Sequence, residues 1–492
     1  MTGYLFSAAG FSLLLSLLTI YHILRYKHRE AASAVLWIFV VFSFPFVGPL
    51  LYFLFGINRV TVKGLYLEAA KRRLLDRSGT GASQVLRKRA DHIGRFGSLP
   101  CWPPSYAQAA QALDRQLEDM PVLVGNQIVL LRNGDEAYPA MLDAILDARS
   151  SIHLETYIFR PDRIGRRVME ALVAKARSGV QVRFLYDRLG SSGARLSGYL
   201  DVFRDVPNMQ IGGHALIHPL KRRLQINLRN HRKLLVVDGR FGFLGGINIH
   251  EENTASLTQE AQILDYHFQV EGPVVSELQY CFLQDWFYTT EEDPESLLRD
   301  EFFPSLTPRA DNCARVIRSG PGPDFEAIHR AFFTLVVMAQ RSIKLMTPYF
   351  VPDAPLLTAL LNAAARGLDV RLILPQRTNH WYIHYAARSF YAPLLEAGVR
   401  IFETPPPFLH AKALLVDNQW ALVGSANFDI RSFRLNFELN LEALGPFAEQ
   451  TLRSALDEEM DRSREMELRA FEKRPHWEPL MEGLCGLASP IL

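Results

Sequence analysis

Two stretches of the chain carry the same four potentially catalytic residue types at the same spacing. They are His231, Lys233, Asp238 and Asn248 in the first copy, and His410, Lys412, Asp417 and Asn427 in the second. In both copies the lysine follows the histidine by two residues, the aspartate follows the lysine by five, and the asparagine follows the histidine by seventeen. One histidine–lysine pair on a strand would carry little information. Two complete copies, 179 residues apart (410 − 231), indicate a catalytic site.

Paired histidines and lysines suit chemistry on a phosphodiester. Alternation along a strand puts the histidine and the lysine of each copy on the same face, and the apolar residues after each lysine, at 234–237 and 413–416, favour a buried strand. Two imidazoles can divide the roles of nucleophile and general acid, while two ammonium groups neutralise phosphate oxygens. No spacing of carboxylates, cysteines and histidines favours a metal. We therefore predict a site that uses neither a metal nor a cofactor.

The segments around these residues are also duplicated. A strand, an amphipathic helix and a second strand follow one another at 151–159, 165–178 and 179–187, and again at 342–350, 356–366 and 367–375. The strand residues are apolar almost without alternation, which is typical of a parallel sheet covered on both faces. We predict an α/β fold of two similar units related by a pseudo-twofold axis. The predicted bounds are 119–290 for the first unit, 291–312 for a linker and 313–492 for the second unit.

Two apolar stretches precede the repeats. Tyr4–Leu24 contains no charged residue and is long enough to cross a bilayer as a helix. After a short charged segment, a second apolar stretch runs from Ala31 to Phe55. We predict a transmembrane hairpin at 1–57 and a basic juxtamembrane linker at 58–118. Because the exit of this hairpin is slightly richer in lysine and arginine than its turn, we expect the catalytic region on the cytoplasmic side.

Composition argues against a nucleic acid partner. The chain has 492 residues and a formal net charge of +2, which is too close to neutral to favour nucleic acid binding. No stripe of interleaved basic and aromatic residues indicates a groove for a nucleic acid strand. The four cysteines at 101, 281, 313 and 485 lie far apart, so we expect free thiols rather than a zinc site or a disulfide framework.

The paired motifs resemble the His-x-Lys-x4-Asp-x6-Gly-Ser-x-Asn motifs of the phospholipase D superfamily. Other segments are similar to those of bacterial cardiolipin synthases. They are PFVGPLLYFLFG at 45–56, TPYFVP at 347–352, FLHAK at 408–412, SANFD at 425–429 with Arg431 and Ser432, NFE at 436–438 and SPIL at 489–492. The superfamily resemblance covers roughly residues 120–492, and the apolar N-terminal segment narrows it to this branch.

This resemblance implies an enzyme that joins two phosphatidylglycerol molecules into cardiolipin and releases glycerol. One histidine would attack the phosphorus and form a phosphohistidine, while the other would protonate the departing glycerol and then deprotonate the second lipid. We assign His231 as the nucleophile and His410 as the acid and base, although pseudosymmetry makes the two roles nearly interchangeable. The implied location is the bacterial inner membrane with several spans, the implied partners are phospholipids, and the oligomeric state is left open.

The resemblance also implies supporting roles for other residues. Lys233, Lys412, Asn248 and Asn427 would hold phosphate oxygens, whereas Asp238 and Asp417 would order the motifs. Glu438 and Asp265 are the candidates for orienting the histidines, although Asp265 lacks the Trp-Arg sequence expected before it. Gly246 stands where the motif prefers serine, so Ser425 is the only hydroxyl of that pair.

Several alternatives stay open at this stage. A related membrane enzyme could use phosphatidylethanolamine as the donor or release phosphatidic acid, a phosphodiesterase could act on nucleic acid, and a scaffold could keep the fold without activity. The segment 380–384 could line a head-group pocket, but we predict a surface position. The C-terminal segment Leu468–Leu492 could contact a membrane, but we predict that it packs on the second unit.

Overall fold

The structure is a computed structural model that divides into two units. The residues that it describes are 2–26, 31–53, 81–97, 104–117, 119–214, 217–218, 223–224, 228–257, 263–320 and 326–487. The smaller unit comprises 1–66 and 217–226, and the larger unit comprises 67–216 and 227–492. Both copies of the motif lie in the larger unit.

The helices are numbered in chain order. They are α1 (Thr2–Tyr26), α2 (Ala31–Ser43), α3 (Val47–Leu51), α4 (Gly81–Phe96), α5 (Ala107–Gln116), α6 (Asn133–Asp147), α7 (Arg163–Arg177), α8 (Ser192–Leu196), α9 (Val275–Thr290), α10 (Pro294–Leu297), α11 (Ala327–Met338), α12 (Ala354–Ala365), α13 (Trp381–Arg388), α14 (Tyr391–Glu396), α15 (Ile430–Arg434), α16 (Arg453–Arg462), α17 (Leu468–Glu472) and α18 (Trp477–Leu487).

The strands are numbered in the same way. They are β1 (Leu123–Arg132), β2 (Ser151–Thr156), β3 (Gln181–Asp187), β4 (Met209–His214), β5 (Ile217–His218), β6 (Arg223–Leu224), β7 (Arg229–Asn230), β8 (Leu234–Val237), β9 (Phe241–Gly245), β10 (Ile263–Leu264), β11 (Tyr266–Glu271), β12 (Asn312–Ser319), β13 (Ser342–Met346), β14 (Phe350–Val351), β15 (Asp369–Pro375), β16 (Arg400–Thr404), β17 (Phe408–Leu409), β18 (Ala413–Val416), β19 (Trp420–Gly424), β20 (Phe428–Asp429), β21 (Asn436–Leu444) and β22 (Arg464–Glu465).

One large sheet contains both repeats. Its hydrogen-bonded order is β22-β16-β15-β13-β18-β19-β21-β12-β1-β11-β9-β8-β2-β3-β4. The two halves meet where β1 pairs with β12. Outward from that pair, β11, β9, β8, β2, β3 and β4 match β21, β19, β18, β13, β15 and β16 in the same order. This arrangement confirms the predicted α/β class and the duplication, although along this order only the β2-β3-β4 and β13-β15-β16 portions are parallel.

The crossover helix of each repeat begins and ends as its sequence predicts. The side chain of Asp162 caps α7 by accepting a hydrogen bond from a backbone N–H at 3.0 Å, and Asp353 caps α12 in the same way at 3.2 Å. Gly179 and Gly367 follow the two helices with positive φ angles of 99° and 85°. Glycine adopts this conformation without the strain that a Cβ atom introduces, so both helices end there.

Part of the segment predicted as a linker packs into the core of the larger unit. Val85 and Phe96 of α4 are buried in the cluster that includes residues of β11. Leu113 of α5 is buried in the cluster that includes residues of α11. Residues 58–80, which supply the basic exit of the predicted hairpin, lie outside the described residues. The bounds predicted from the sequence for the two repeated units, 119–290 and 313–492, and for the linkers stay predictions.

The second apolar stretch of the smaller unit, predicted as the second span of the hairpin with Pro45 and Pro49 tolerated within it, is interrupted. α2 ends at Ser43, and the helical structure resumes only in the five residues of α3. Pro45 lies in the break, and a proline has no N–H to continue the helical hydrogen bonds. In the part of the chain that the structure describes, no helix has both the length and the apolar character needed to span a membrane.

The cysteines also differ from the prediction of free thiols. Cys281 and Cys485 are free and buried. Cys313 is disulfide-bonded.

Candidate active site

Both copies of the motif contribute to one cavity of about 560 Å³. His231 and Asn248 of the first repeat line it together with His410 and Asn427 of the second. The sequence places these residues far apart in the chain. The pseudo-twofold arrangement of the sheet brings them to one site.

Each motif histidine is held by a carboxylate from the other repeat. Nδ1 of His231 lies 3.0 Å from both carboxylate oxygens of Glu438, on β21 of the second half. Nδ1 of His410 lies 2.5 Å from Asp265, between β10 and β11 of the first half. An Nδ1–H that donates to a carboxylate leaves Nε2 of each ring as the atom available to a substrate. Neither repeat alone supplies both the motif histidine and the carboxylate that holds it.

Short parallel strand pairs enforce this exchange. β7 pairs with β21, and the backbone N–H of His231 donates to the carbonyl of Phe437 at 3.0 Å. β10 pairs with β17, and the N–H of His410 donates to the carbonyl of Leu264 at 2.7 Å. The backbone therefore fixes each histidine directly beside the carboxylate that follows in the partner strand.

Burial favours neutral imidazoles, and the neighbouring cations favour ionised carboxylates, whereas a bound anionic phosphate favours protonation of an imidazole that it contacts. Burial lowers the pKa of His410 to about 4, with Lys412 acting in the same direction and Asp265 opposing it. Burial also lowers the pKa of His231, against the opposing effect of Glu438. Burial alone would raise the pKa of Glu438, but the neighbouring His231 and Lys233 bring it below its ordinary value. Neutral histidines are the forms that act as nucleophile and as base.

The two motif lysines are buried beside the histidines. Nζ of Lys233 donates to the backbone carbonyl of His231 at 2.5 Å, and Nζ of Lys412 donates to the carbonyl of His410. Nζ of Lys412 also lies 2.8 Å from Nδ1 of His410. Nδ1 of His410 cannot both accept a hydrogen bond from this lysine and donate one to Asp265. Because the carboxylate is closer, we assign the proton to Nδ1, which donates to Asp265. Burial lowers the pKa of Lys233 to about 7 and that of Lys412 to about 8.

These lowered lysine pKa values predict pH-dependent anion binding. Sulfate remains a dianion between pH 6 and pH 9, so its binding reports the charge of the protein. Below their pKa values the lysines are ammonium groups, and they lose this charge as the pH rises through about 7 and about 8. We expect calorimetry to show sulfate affinity falling at least about 10-fold from pH 6 to pH 9. Lys412→Met should weaken binding at pH 6 and flatten this dependence, whereas an equally steep dependence in that variant would contradict the assignment.

The asparagines and the serine of the motifs differ in their surroundings. Oδ1 of Asn248 accepts from the backbone N–H of Ile158 at 3.0 Å, whereas Oδ1 of Asn427 has no partner among the described residues. Ser425 donates to Glu438 at 2.6 Å and so lies behind the carboxylate that holds His231. The equivalent Gly246 leaves no room for a side chain, because a Cβ there would lie 2.1 Å from Oδ1 of Asp265. The first repeat thus combines Gly246 with the shorter side chain of Asp265, and the second repeat combines Ser425 with the longer side chain of Glu438.

This close approach predicts a large effect from a small substitution. Gly246→Ala should displace Asp265, misalign His410 and lower the rate of the reaction at this site by at least about 10-fold, while the folded state persists. A steady-state assay at matched thermal stability would measure this effect. Gly94→Ala is the control, since a Cβ at Gly94 meets nothing within 4 Å. Full activity of Gly246→Ala would show that the position of Asp265 is unimportant.

The motif aspartates are not among the residues that line the cavity. Asp238 accepts hydrogen bonds from the backbone N–H groups of Arg149, Ser150 and Ser151, at 2.7–2.9 Å. Asp417 does the same for residues 340–342 and also accepts from the hydroxyl of Tyr106. Each aspartate therefore ties the end of its motif strand to the start of the neighbouring strand.

Several cavity residues were not predicted as part of the site. Tyr157 packs edge-on against His231 and Tyr349 packs similarly against His410, with ring centroids 5.0 Å and 6.2 Å apart. The two tyrosines occupy equivalent positions in the two repeats, and this repetition is the sequence feature that marks them as site residues. The predicted surface position of 380–384 is wrong in part, because His380 and Tyr382 line the cavity. Arg229 and Arg431 also line it. Among the described residues, no cluster of histidine, cysteine, aspartate and glutamate could hold a metal ion.

Comparison with known proteins identifies the family. A family model described as "Cardiolipin synthase, PLD-like domain" matches residues 141–286 and 333–462. A cardiolipin synthase of Geobacillus thermodenitrificans is 35% identical over 487 residues, covering 98% of this chain and 94% of the relative. The chain belongs to the cardiolipin synthase family. It is therefore an enzyme that makes cardiolipin, a phosphatidyltransferase of the phospholipase D type.

Other members of the cardiolipin synthase family match over similar lengths. Cardiolipin synthase A of Pseudomonas syringae is 36% identical over 471 residues, which cover 94% of each chain. The major cardiolipin synthase of Bacillus subtilis is 32% identical over 498 residues, covering 98% of this chain and 99% of the relative. A second family model, described as "Phospholipase_D-nuclease N-terminal", matches residues 14–56.

A solved structure supports the fold alone. The phosphatidylserine synthase of Haemophilus influenzae superposes with a TM-score of 0.59 at 15% identity, covering 78% of this chain and 99% of that one.

Proposed function

We propose that this member of the cardiolipin synthase family uses phosphatidylglycerol both as donor and as acceptor, through a phosphohistidine. The observation that carries the proposal is the exchange of carboxylates: both imidazoles line one cavity, and each has its Nδ1 held by the other repeat. One Nε2 atom is thus free to attack a phosphorus, and the other is free to exchange a proton with the oxygen that leaves or enters on the opposite side. A pair of this kind can cleave and remake a phosphodiester without releasing the phosphatidyl group.

The reaction then proceeds in two balanced steps. Nε2 of one histidine attacks the phosphorus of the first phosphatidylglycerol, and the bond to the glycerol oxygen breaks. The other histidine, which is protonated at Nε2 once the anionic phosphate is bound, gives this proton to the departing glycerol and becomes neutral. That second histidine next removes a proton from a glycerol hydroxyl of another phosphatidylglycerol. The resulting oxygen attacks the phosphorus, the phosphorus–nitrogen bond breaks, and cardiolipin forms. The assignment of His231 as the nucleophile stays a prediction.

The remaining motif residues stabilise the charge that develops on the phosphate. Lys233 and Lys412 are buried beside the histidines, where an ammonium acts on equatorial oxygens with little screening by water. The amides of Asn248 and Asn427 reach the same cavity. Asp265, Glu438 and Ser425 orient the histidines, and Asp238 with Asp417 orders the two motif strands.

The test of this proposal measures all products together. Purified enzyme in detergent–lipid micelles receives phosphatidylglycerol without divalent metal, and cardiolipin, phosphatidic acid and glycerol are quantified. Equal amounts of cardiolipin and glycerol support the proposal. Phosphatidic acid as the main product would mean hydrolysis, and product only after adding phosphatidylethanolamine would mean a different donor.

We also infer that the enzyme binds a lipid surface through exposed apolar side chains. In α1–α3 and the residues that follow them in the smaller unit, large apolar residues such as Phe11, Phe42 and Phe53 are more than half exposed. Contiguous exposed apolar residues of this size mark membrane or protein contacts. Association with lipid, rather than a particular number of membrane spans, is what this exposure supports. The cytoplasmic side remains a prediction, tested by reporter fusions placed after residue 120.

The last helix of the larger unit presents a second apolar surface. The apolar residues of α18 that face solvent are Trp477, Leu480, Leu484 and Leu487, with exposed fractions of 54%, 74%, 62% and 82%. The predicted packing of the C-terminal segment therefore holds for Phe471 and Cys485, which are buried, but not for these residues. A helix with one apolar face at the surface is suited to lie in a membrane interface.

This surface predicts weaker vesicle binding when its apolar side chains are removed. The double substitution Leu480→Ser with Leu484→Ser should lower binding to phosphatidylglycerol vesicles several-fold in a flotation assay, without changing the melting temperature. Leu196→Ser is the control, since Leu196 is equally exposed at 74% but lies on α8. Equal losses for control and test variants would contradict a specific role for α18.

A further inference from the structure

The cavity breaks the pseudosymmetry of the repeats at three equivalent positions. Two residues before the motif histidine, the first repeat has Arg229 and the second has Phe408. Four residues after the motif asparagine, the first repeat has Glu252 and the second has Arg431. Two residues before the orienting carboxylate, the first repeat has Ile263 and the second has Asn436. All six residues line the cavity. The motifs themselves match closely, so these differences distinguish one side of the cavity from the other.

One side of the cavity collects two arginines. Arg229 lies opposite Asn436 in the β7–β21 pairing and is only 7% exposed. Its Nε and the Oδ1 of Asn436 have no hydrogen-bond partner among the described residues, although both side chains are more than nine-tenths buried. Arg431, on α15, is close enough to Arg229 to influence its ionisation and forms no ion pair within the described part of the chain. A buried donor without a partner is costly unless a ligand satisfies it.

The opposite side has no spare positive charge among the residues that the structure describes. There Phe408 lies opposite Ile263 in the β10–β17 pairing, and both are apolar. Glu252 forms an ion pair with Arg160, the cation on that side of the cavity. An anion would therefore find unsatisfied donors on the Arg229 side.

Two carboxylates lie near the arginine pair, and both are already bound by other donors. Asp429, near Arg431, accepts a hydrogen bond from the backbone N–H of Ser432 at 2.7 Å. Burial lowers the pKa of Arg229 and the positive charge of Arg431 acts in the same direction, while Asp187 opposes both. The carboxylate oxygens of Asp187 already accept hydrogen bonds from the backbone N–H groups of Leu189, Gly190 and Asn230. An anion between the arginines would supply the missing acceptors and relieve their repulsion.

We propose that Arg229 and Arg431 form a second anion site, which holds the phosphodiester of the acceptor phospholipid. This inference rests on the proposed function, since cardiolipin contains two phosphates joined by one glycerol. While Lys233 and Lys412 hold the phosphate at the histidines, the acceptor brings a second phosphate into the same cavity. The arginine pair gives that phosphate its own charged partners and lets the enzyme prefer a phospholipid over free glycerol or water as acceptor.

The test compares two acceptors with one donor. Full-length enzyme in mixed micelles receives phosphatidylglycerol together with radiolabelled glycerol, and both cardiolipin and labelled phosphatidylglycerol are measured. Exchange of labelled glycerol uses the donor phosphate alone, whereas cardiolipin formation also needs the acceptor phosphate. For Arg229→Gln and for Arg431→Gln, we expect the ratio of cardiolipin to exchanged glycerol to fall about 10- to 100-fold. Arg431→Lys should restore part of this ratio.

Arg434→Gln is the matched control. Arg434 lies three residues from Arg431 on the same helix, contacts Glu326 and Asp353, and is outside the cavity lining. Its substitution should leave the ratio unchanged. An unchanged ratio in both test variants, or a parallel loss of both products, would overturn the second anion site. Absence of both products in the unmodified enzyme would instead overturn the proposed function.

Discussion

Replacing either His231 or His410 with alanine is expected to lower cardiolipin formation by at least about 10⁴-fold. Each imidazole has its own position and its own carboxylate, so one cannot substitute for the other. Loss of a nucleophile or of its paired acid–base group typically has effects of this size. The rate of cardiolipin formation from phosphatidylglycerol, measured at matched protein stability, tests the expectation.

The controls for this prediction also assign the two roles. His476→Ala removes an exposed histidine and should retain full activity. A donor labelled in its phosphate should leave label on the protein of the unmodified enzyme after rapid denaturation at alkaline pH, where the phosphorus–nitrogen bond is stable. The alanine variant that lacks the nucleophile cannot acquire this label, so label lost only from His231→Ala would support the assignment made from the sequence. Substantial cardiolipin formation by either variant would contradict the paired-histidine mechanism.

The second large effect is expected for the carboxylates that cross between the repeats. Glu438→Gln keeps the size of the side chain but can present an amide N–H to Nδ1 of His231. The proton of the ring would then move to Nε2, which could no longer attack or act as a base. We expect kcat to fall about 10²- to 10⁴-fold, and Asp265→Asn should act on His410 in the same way.

A pH profile separates this positioning role from simple loss of structure. Glu438 opposes the lowering of the His231 pKa, so its neutralisation lowers that pKa further. If the neutral form of His231 is required, the acid limb of the pH–rate profile should move to lower pH in Glu438→Gln. Glu442→Gln is the control, since Glu442 lies on the same strand but bonds to Trp420 and Arg315. An equal loss of activity in this control at equal stability would refute the positioning role of Glu438.

Much of the site could be predicted from the sequence, because local spacing determines it. The two-residue spacing of histidine and lysine and the apolar run behind them are properties of a single strand, and the strands form where expected. The aspartates that end the motifs also act locally. The glycines after α7 and α12 likewise end their helices as predicted.

The remainder depends on contacts between distant segments. The sequence offered Glu438 and Asp265 as orienting residues but did not assign each to a histidine, because β7–β21 and β10–β17 pair segments that lie far apart in the chain. The second repeat has Phe408 at the position equivalent to Arg229, so comparison of the repeats does not mark Arg229 as a site residue. In the smaller unit, hydropathy indicates the second apolar stretch but not the end of its first helix at Ser43.

The exchange of carboxylates has a consequence for how such an enzyme could arise. Two identical single-repeat chains in a symmetric dimer would supply each other's orienting carboxylate, as the two repeats do in this chain. In such a homodimer, however, every residue occurs on both sides of the axis. Joining the two copies in one gene removes that constraint, so that arginine can occupy one side and phenylalanine the other. With the proposed acceptor site, covalent fusion would allow a cavity built for a symmetric pair of histidines to distinguish between two chemically identical substrates.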